Sequence, residues 1–389
     1  MSKINLPIDR RNFIVTSVAG AAGLASMLAC TKKEPQTHKS VVPPDWKLKL
    51  GIVGVGNRGL NHVEVAQELP EIELRAVCDI DEKKFPQVML KCKGKKPNTY
   101  LDFKEMLAKE ELDAIAVVVP NHLHHEFSIY ALEQGKHVLC EKPMSITMPF
   151  CNAMVAAQEK TGKILMIGTQ LRYMELFQTI KKRVSEEKVL GEIRYLNCLL
   201  MRGDWPRFSE NPEEEKKLNW RLSNEKMGNS LLEYSVHYMD ELMWMLDKPA
   251  AYVAGIGGIN FYKDRTSYDH YSTSCVFEEG ANMNHSLTIY APDVNLMTIV
   301  GEKGLIDIHF SWNEYVLRLK EGNKEALVKM KRRLLGAGTF EEYEEFIKCI
   351  YENKQPLTEP KESLKVTRVC FAMEEAVKQK RYVNLSEIV

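Results

Sequence analysis

The stretch that decides the fold reads Gly54-Val55-Gly56-Asn57-Arg58-Gly59. It follows an apolar run at 48–53 that is typical of a buried strand, and a helical pattern begins directly after it. A second strand pattern ends in Asp79, twenty residues beyond Gly59. Strand, glycines, helix, strand and acidic residue in this order predict a dinucleotide-binding turn. A purely structural βαβ unit with a glycine turn is the alternative interpretation.

Each position of this turn has an expected role in binding the cofactor. Gly54 permits the tight turn, Gly56 lets the backbone approach a pyrophosphate, and Gly59 lets helix and strand pack closely. Asn57 and Arg58 open the helix, whose first N–H groups and positive dipole end favour phosphate.

Asp79 bears on which dinucleotide is bound. Its carboxylate is expected to accept hydrogen bonds from the adenosine ribose hydroxyls, and it repels a 2′-phosphate. NAD is therefore favoured over NADP. Arg58 keeps NADP open, since its guanidinium could pair with that phosphate.

The first half of the chain alternates strands and helices. The strand patterns are continuous apolar runs, as a parallel sheet covered on both faces requires. Helices at 123–134 and 149–161 stop at Gly135 and Gly162, which are C-cap signals. We expect a doubly wound α/β Rossmann domain over 47–168. The predicted strands lie at 48–54, 74–79, 114–119, 137–141 and 164–168.

The second half, 169–389, is predicted to be an α+β domain with a large open, mostly antiparallel sheet and helices on one face. Turns at 278–280 and 302–304 favour hairpins, and helices are expected at 229–246, 340–353 and 362–379. The predicted strands lie at 193–201, 252–260, 268–278, 281–290, 296–300, 305–310 and 315–319.

The N-terminal residues are predicted to be a targeting segment. Arg10-Arg11 precedes an apolar, small-residue run that reaches Cys30, and this resembles a twin-arginine signal followed by a lipoprotein cleavage site. An uncleaved anchor helix is the alternative. We expect a signal at 1–30, a linker at 31–46, and an exported, periplasmic protein tethered to the membrane by lipidated Cys30. Because the twin-arginine route carries folded proteins, the nucleotide would be loaded before export and stay bound.

Composition excludes several classes of partner. The chain has 53 basic and 53 acidic residues and a formal net charge of zero, so no nucleic-acid footprint is present. Its nine cysteines form no CxxC pair and no metal spacing. We expect no metal site, and we expect Cys78, Cys140 and Cys198 to be buried thiols, since they lie within apolar runs.

Glu141-Lys142-Pro143 closes the fifth predicted strand. Ligands of open parallel sheets bind beyond the carboxyl ends of the strands, so Lys142 should lie where the nicotinamide ring binds. Its ammonium could polarise a substrate oxygen, and burial would lower its pKa. A solvated lysine at a strand end is the alternative.

Glu233 and His237 lie four residues apart in an apolar helical pattern and should share one helix face. Histidine is suited to proton exchange near neutral pH, and a carboxylate one turn away can fix its tautomer. Asp240 or Glu241 could equally be the partner of His237. A histidine packed structurally in its helix is the alternative to a catalytic role.

Further polar residues are candidates for ligand contacts. Pro120, Asn121 and His124 follow the third predicted strand, beside the expected cofactor, and could touch the ribose or substrate. Three histidines at 122–125 lack a carboxylate or thiolate to complete a metal set. Substrate contacts in the second domain are expected from Arg172, Tyr173, Trp205, Trp220 and Asp240. The tryptophans could stack on a sugar ring or anchor a long loop.

These motifs together resemble the glucose–fructose oxidoreductase / inositol dehydrogenase / rhizopine catabolism (Gfo/Idh/MocA) family from about residue 47 onward. The resemblance implies a Rossmann domain with tightly held NAD or NADP, sugar or polyol substrates, and dimers or tetramers formed through the open sheet. It implies that Lys142 and His237 are the acid–base pair. Glu233 stands where many members have Asp, as the orienting carboxylate.

We therefore expect an NAD(P)-dependent sugar oxidoreductase. The family also includes NAD-dependent glycosidases, which oxidise, eliminate, add water and reduce again, so a glycoside hydrolase is the first alternative. A sugar-binding lipoprotein that has lost turnover is the second.

Overall fold

The computed structural model describes residues 42–330 and 338–389, which belong to one compact unit, Val42–Val389. The predicted signal at 1–30, Cys30, and the predicted linker up to residue 41 lie outside the described residues. Among the residues described, no helix combines the length and the apolar character that a membrane span requires.

The first sheet has six parallel strands in the order β3-β2-β1-β4-β5-β6. All five predicted strands are confirmed. The sequence missed β3, which has three residues, all polar or aromatic, at the sheet edge. The strands are β1 (Leu48–Val53), β2 (Ile72–Cys78), β3 (Asn98–Tyr100), β4 (Ala114–Val117), β5 (His137–Glu141) and β6 (Leu165–Gly168). The helices are α1 (Asn57–Glu68), α2 (Phe85–Lys91), α3 (Phe103–Lys109), α4 (His124–Glu133) and α5 (Met148–Thr161).

The strand order places the ligand crevice. The chain runs outward from β1 to β3 and then returns to pair β4 with the other side of β1. A crevice forms at such a reversal, beyond the carboxyl ends of β1 and β4. The glycine turn follows β1, and the Glu141-Lys142-Pro143 segment continues from β5 at the same edge of the sheet.

The second sheet has nine strands in the order β14-β13-β12-β11-β7-β10-β9-β8-β15. It is antiparallel except for the β7–β10 pair. Both predicted hairpins and all seven predicted strands are confirmed. The strands are β7 (Ile193–Met201), β8 (Ala250–Gly258), β9 (His270–Phe277), β10 (Asn282–Thr288), β11 (Val294–Gly301), β12 (Gly304–His309), β13 (Glu314–Leu319), β14 (Lys324–Lys329) and β15 (Val383–Asn384).

The two strands that the sequence missed lie at the edges of this sheet. Half of the six residues of β14 are charged and its apolar run has only three residues, and β15 has only two residues, so neither carries a strand-length apolar pattern. Inner strands such as β12 bury every second residue, so one face of the sheet packs against the core. The remaining helices are α6 (Glu175–Lys181), α7 (Pro212–Leu218), α8 (Asn224–Met227), α9 (Val236–Leu246), α10 (Thr339–Glu352) and α11 (Pro360–Gln379).

The helix predicted at 229–246 contains an irregularity. Leu231–Ser235 form a π-helical turn, and regular α-helix begins only at Val236. A π turn accommodates an extra residue, so side chains four apart no longer project in one direction. Glu233 lies inside this turn and His237 lies beyond it.

Helix α10 packs on the first sheet although it comes late in the chain. Tyr343, Phe346 and Ile347 belong to the same buried cluster as Leu48 and Leu50 of β1. The core of the Rossmann sheet is thus completed by residues from the C-terminal half. Through Tyr343, α10 contacts His62 of α1, whose ring also contacts Glu141 at the end of β5.

Glu342 on α10 gives a pH-dependent prediction. Its side chain is fully buried and neither carboxylate oxygen has a hydrogen-bond partner among the described residues. Burial, reinforced by Glu141, holds the pKa of Glu342 well above its ordinary value of 4.5, so the folded protein keeps this carboxyl protonated. The unfolded chain ionises it above pH 4.5, and stability is therefore lost as pH rises from 4.5 towards the folded pKa.

Replacing Glu342 with glutamine should abolish this loss, because an amide does not titrate. The stability advantage of Glu342→Gln should grow with pH, by at most about 1.4 kcal/mol per pH unit. Urea unfolding at several pH values measures it, with Glu345→Gln on the same helix as the control for a lost acidic group. An advantage that stays constant with pH would show that Glu342 is ionised in the folded protein.

Candidate active site

The glycine turn has the geometry that its sequence predicts. Gly54 adopts φ +86°, and a Cβ there would lie 2.2 Å from the carbonyl oxygen of Val118. A Cβ on Gly59 would lie 2.0 Å from the carbonyl oxygen of Gly54. By contrast, a Cβ on Gly56 would meet no atom within 4 Å. Two glycines are therefore required by the fold, whereas Gly56 borders open space.

Asp79 stabilises this turn through hydrogen bonds to its side chain. Its carboxylate accepts hydrogen bonds from the backbone N–H of Val55 at 2.8 Å and of Asp81 at 3.0 Å, and Lys84 Nζ lies 3.3 Å from Oδ1. Lys84 Nζ also lies 3.4 Å from Oδ2. A carboxylate has about four acceptor positions, so a ribose hydroxyl would bind by replacing the exposed ammonium of Lys84. At the start of α1, Gly56 is the N-cap and supplies no side-chain hydrogen bond, which leaves the first N–H groups of the helix, at Asn57 and Arg58, available for an anion.

Glu141, at the end of β5, is the centre of a buried polar network. Its Oε1 accepts from Arg58 Nε at 2.5 Å and lies 2.9 Å from His62 Nε2. His62 Nδ1 lies 3.0 Å from the Tyr343 hydroxyl of α10. Burial alone would raise the pKa of Glu141, but Arg58 and His62 outweigh it and hold the pKa well below its ordinary value. Arg58 is thus engaged by a carboxylate of the protein.

Lys142 follows directly, and the Lys142–Pro143 peptide bond is cis. Its ammonium donates a hydrogen bond to the carbonyl oxygen of Glu233 at 2.7 Å, and it lies 3.8 Å from Glu233 Oε2. The side chain is 14% exposed. Burial lowers the pKa of Lys142, although Glu233 and Glu141 oppose that change. The solvated lysine of the alternative interpretation is not what the structure shows.

Glu233 has different partners from those that its spacing suggests. Its Oε1 accepts from Arg221 Nε at 2.8 Å, and its Oε2 accepts from Asn121 Nδ2 at 3.1 Å. Burial alone would raise its pKa, yet Lys142 and Arg221 lower it. No hydrogen bond joins Glu233 to His237 within the described part of the chain. The prediction that Glu233 orients His237 is wrong, because the π turn directs its carboxylate towards Lys142 and Arg221.

His237 lies in the first turn of α9 and is half-buried. Loss of hydration and the positive charge of Lys142 hold the pKa of His237 well below its ordinary value, so the imidazole is neutral near pH 7. Its Nδ1 is buried and has no hydrogen-bond partner among residues 42–330 and 338–389. A neutral imidazole with an unsatisfied nitrogen is suited to accept or donate a proton.

The loop after β4 has a structural role. Pro120 leads into a short turn, and Asn121 Nδ2 donates to the carbonyl oxygen of Met227 at 2.9 Å in addition to Glu233. The ring nitrogens of buried His124 lie 2.7 Å from Pro143 O and 2.9 Å from Val119 O. Because both ring nitrogens are occupied, His124 has none left for a ribose, and its predicted ligand contact is wrong. His124 instead connects the ends of β4 and β5.

Arg172 and Asp240 pair with each other. Arg172 donates to both carboxylate oxygens of Asp240, from Nε at 2.6 Å and from Nη2 at 2.7 Å, and Asp240 has no exposed surface. The predicted substrate contacts from these two residues are therefore corrected, since each satisfies the other in the interior. Asp240 is not the partner of His237, and Glu241 has no partner for either carboxylate oxygen among the described residues.

Tyr173, also predicted to contact substrate, forms a hydrogen bond with Thr358. The Tyr173 hydroxyl lies 2.9 Å from Thr358 Oγ1, and either oxygen can be the donor.

Two arginines that the sequence analysis did not single out, Arg202 and Arg221, lie against the tryptophans. Trp205 is partly buried and stacks on Tyr234, with ring centroids 6.4 Å apart. Arg221 lies 4.2 Å from the ring of Trp220 and 4.6 Å from that of Trp205. Arg221 could have been suspected from its place directly after Trp220, whereas its bond to Glu233 depends on tertiary structure.

No group of three or more potential metal-ligating side chains occurs among the described residues. Cys78, Cys140 and Cys198 are buried free thiols, as predicted.

Two family models match the chain. The first, "Oxidoreductase family, NAD-binding Rossmann fold", covers residues 48–169. The second, "Oxidoreductase family, C-terminal alpha/beta domain", covers residues 181–385. Together they span most of the sequence. The chain therefore belongs to the Gfo/Idh/MocA oxidoreductase family, and its N-terminal half is that family's NAD-binding Rossmann domain.

Solved structures share this fold. A levoglucosan dehydrogenase in complex with NADH and levoglucosan aligns with TM-score 0.76 at 19% identity, over 87% of this chain and 99% of that one. The aldose-aldose oxidoreductase from Caulobacter crescentus, complexed with glycerol, aligns with TM-score 0.75 at 23% identity, over the same 87% and 99%.

Curated relatives have the names of glycoside hydrolases, whereas the solved structures above are a dehydrogenase and an oxidoreductase. A glycosyl hydrolase family 109 protein of Shewanella baltica (strain OS185) is 28% identical over 236 residues, which are 55% of this chain and 50% of that protein. An alpha-N-acetylgalactosaminidase of Shewanella oneidensis is 27% identical over 214 residues, 49% of this chain and 47% of that protein. The match spans about half the length of each relative.

Proposed function

We propose that this protein oxidises a hydroxyl group of a sugar, glycoside or polyol and holds NAD tightly while doing so. One observation carries the proposal: Lys142 follows the carboxyl end of β5, its ammonium is fixed by the carbonyl oxygen of Glu233, and its charge acts on the neutral imidazole of His237. A cation and a neutral base at the nucleotide edge of a Rossmann sheet suit alcohol oxidation.

The glycine turn fits a dinucleotide. The space beside Gly56 and the free N–H groups at the start of α1 would hold the pyrophosphate, and Asp79 would hold the ribose. When bound, NAD supplies the hydride acceptor for the carbon that bears the hydroxyl. NAD is favoured over NADP because Asp79 repels a 2′-phosphate and Arg58 is already paired with Glu141.

The protein side of the chemistry is proton handling. His237 would take the hydroxyl proton, because its lowered pKa keeps the imidazole neutral. Lys142 would donate a hydrogen bond to the same substrate oxygen. Glu233, held by Arg221 and Asn121, would keep the ammonium in place and charged. Positioning groups of this kind contribute through orientation and electrostatics.

Two of the three glycines of the turn, Gly56 and Gly59, should respond differently to alanine. Gly56→Ala should retain the stability of the fold, because its Cβ meets open space, but it should weaken NAD binding by filling the phosphate cradle. Gly59→Ala should destabilise the protein, because its Cβ would collide with Gly54 O. Thermal unfolding and bound nucleotide per chain measure the two effects. Equal nucleotide content in Gly56→Ala and the wild type would contradict the assigned cradle.

The first test of function is anaerobic denaturation of the purified protein, followed by identification of any released nucleotide and its redox state. Release of NAD or NADH is expected. A panel of sugars and polyols is then scored by reduced-nicotinamide absorbance and by product mass. Bound NAD without any change across a broad panel would favour the sugar-binding alternative.

A second candidate is an NAD-dependent glycoside hydrolase, which the names of the curated relatives support. Hydride transfer is common to both candidates, but only the hydrolase cleaves the glycosidic bond. Release of nitrophenol from nitrophenyl glycosides without added cofactor would favour the hydrolase. Oxidised sugar with an intact glycosidic bond would favour the dehydrogenase.

Export and assembly are proposed as well. The Arg10-Arg11 signal would direct the folded protein to the periplasm, and Cys30 would anchor it to the membrane. The second sheet would pair in a homo-oligomer, supported by side chains such as Ile256 and Leu327, which are 73% and 53% exposed. Mass spectrometry of the mature N-terminus and light scattering test these points.

A further inference from the structure

A basic–aromatic cluster, defined by Arg202, Trp205, Arg221 and Tyr234, lies beside the candidate catalytic residues. The Trp205 ring has a guanidinium close to it from each of two arginines, Arg202 at 4.4 Å and Arg221 at 4.6 Å from the ring centroid. Arg202 also lies 4.8 Å from the ring of Tyr234. The arginines are therefore held by cation–π contacts.

This cluster is contiguous with Lys142. Arg221 binds Glu233, the residue whose carbonyl oxygen accepts from the Lys142 ammonium. Burial is the largest cause of the lowered pKa of Lys142, and both Arg221 and Arg202 lower it further. Three cationic side chains thus converge on one part of the site.

The positive charges there exceed the negative ones. Among the described residues, Glu233 is the carboxylate that pairs with Lys142 and Arg221, and Arg202 forms no ion pair. The Arg202 side chain donates a hydrogen bond to the carbonyl oxygen of Gly203 at 3.1 Å. Asp204, its neighbour in sequence, is paired with Arg265 at 2.6 Å. Lys142 and the two arginines therefore carry a surplus of two positive charges over Glu233.

Three other arginines are each neutralised by a carboxylate. Arg58 pairs with Glu141, Arg172 with Asp240 and Arg265 with Asp204. Holding an unpaired guanidinium beside two other cations is electrostatically unfavourable, so an anion that binds there gains from all three charges. The aromatic rings of the cluster supply an apolar surface of the kind that contacts sugar rings.

We propose that the substrate is an anionic saccharide, with a carboxylate or sulfate group bound by Arg202 and Arg221. The proposal rests on the function proposed above and narrows its substrate class to sugars such as hexuronates and sugar sulfates. Arg202 follows β7 of the second sheet, whereas the phosphate-binding turn follows β1 of the first, so the cluster is assigned to the substrate. Carboxylate and sulfate share the acceptor chemistry that a guanidinium recognises.

Binding and turnover are measured on the purified protein with its bound nucleotide. Methyl glucoside, methyl glucuronide and methyl glucoside sulfate are titrated by tryptophan fluorescence, which requires no turnover, and then assayed for oxidation. We expect at least about tenfold tighter binding of one or both anionic sugars, since hydrogen bonds between a guanidinium and an anion are stronger than those to a neutral hydroxyl. The two anionic probes distinguish the carboxylate from the sulfate.

Arg202→Gln tests the assignment directly. It should weaken binding of the anionic sugar about tenfold or more, leave binding of the neutral sugar nearly unchanged, and raise KM more than it lowers kcat. Arg194→Gln is the matched control, because Arg194 lies near the start of the same strand, is exposed, and pairs with Glu302. This control should bind every probe as the wild type does.

Three results would overturn the inference. Neutral and anionic sugars could bind equally well to the wild type. Arg202→Gln could weaken both kinds of sugar to the same extent, which would indicate a structural role. It could instead lower the nucleotide content, which would assign Arg202 to the cofactor. Selective binding of the anionic sugar without turnover would support the anion site while contradicting the proposed oxidation.

Discussion

Replacing Lys142 with methionine should lower turnover by roughly 10²-fold or more while NAD remains bound, as is typical for loss of a hydrogen-bond donor to the reacting oxygen. The ammonium is removed from the carbonyl oxygen of Glu233, but a side chain of similar length keeps the packing. Because Lys142 also lowers the pKa of His237, the acid limb of the pH–rate profile should move towards higher pH in the residual activity. Steady-state kinetics over pH and nucleotide content measure both effects.

The matched control is Lys136→Met. Lys136 precedes β5, whereas Lys142 follows it, so the two lysines lie at opposite ends of one strand. Lys136 Nζ donates to the carbonyl oxygen of Leu112 at 2.9 Å and is remote from the nucleotide edge of the sheet. Wild-type turnover is expected for this control. Near-normal rates in Lys142→Met would remove Lys142 from the chemistry.

Replacing Asp240 with asparagine should destabilise the protein by about 3–5 kcal/mol, because it leaves a buried charge without its partner. Arg172 is 4% exposed and cannot lose its proton to escape the cost. Its guanidinium now donates to both oxygens of Asp240, and an amide offers one acceptor and two donors in their place. The free energy of urea unfolding measures the change.

The double variant Arg172→Met/Asp240→Leu separates the charge from the packing. Replacing both members of a buried pair with apolar residues of similar volume is often neutral, so the double variant should be more stable than Asp240→Asn. Glu241 is adjacent and buried, and burial holds its pKa well above the ordinary value. A loss below about 1 kcal/mol in Asp240→Asn would mean that Glu241 ionises and replaces Asp240.

Much of the fold was readable from local patterns. Continuous apolar runs gave the parallel strands, and glycines at the ends of helical patterns gave the C-caps, since only local backbone preferences are involved. Strands β3, β14 and β15 were missed because they are short or charged and lie at sheet edges. Their hydrogen bonds come from a neighbouring strand and leave no periodic signal.

The site was predicted less completely. Lys142 and the glycine turn were found because strand, turn and helix are adjacent in the chain. The pairing of Glu233 with His237 was wrong, because a π-helical turn is set by packing and cannot be inferred from spacing alone. The sequence predicts Arg172 and Asp240 as substrate contacts, whereas they bind each other, since sequence shows a residue's chemistry but not its distant partner.

The amino-acid sequence by itself determined the two kinds of sheet, the nucleotide-binding turn and the family, because each depends on residues close together in the chain. Only the tertiary structure decided which carboxylate serves Lys142, that Arg58 is held by Glu141, and that Arg202 and Arg221 meet on Trp205. Those contacts join residues far apart in sequence. Their charges interact through space, so their partners are fixed only when the two sheets and their helices pack together.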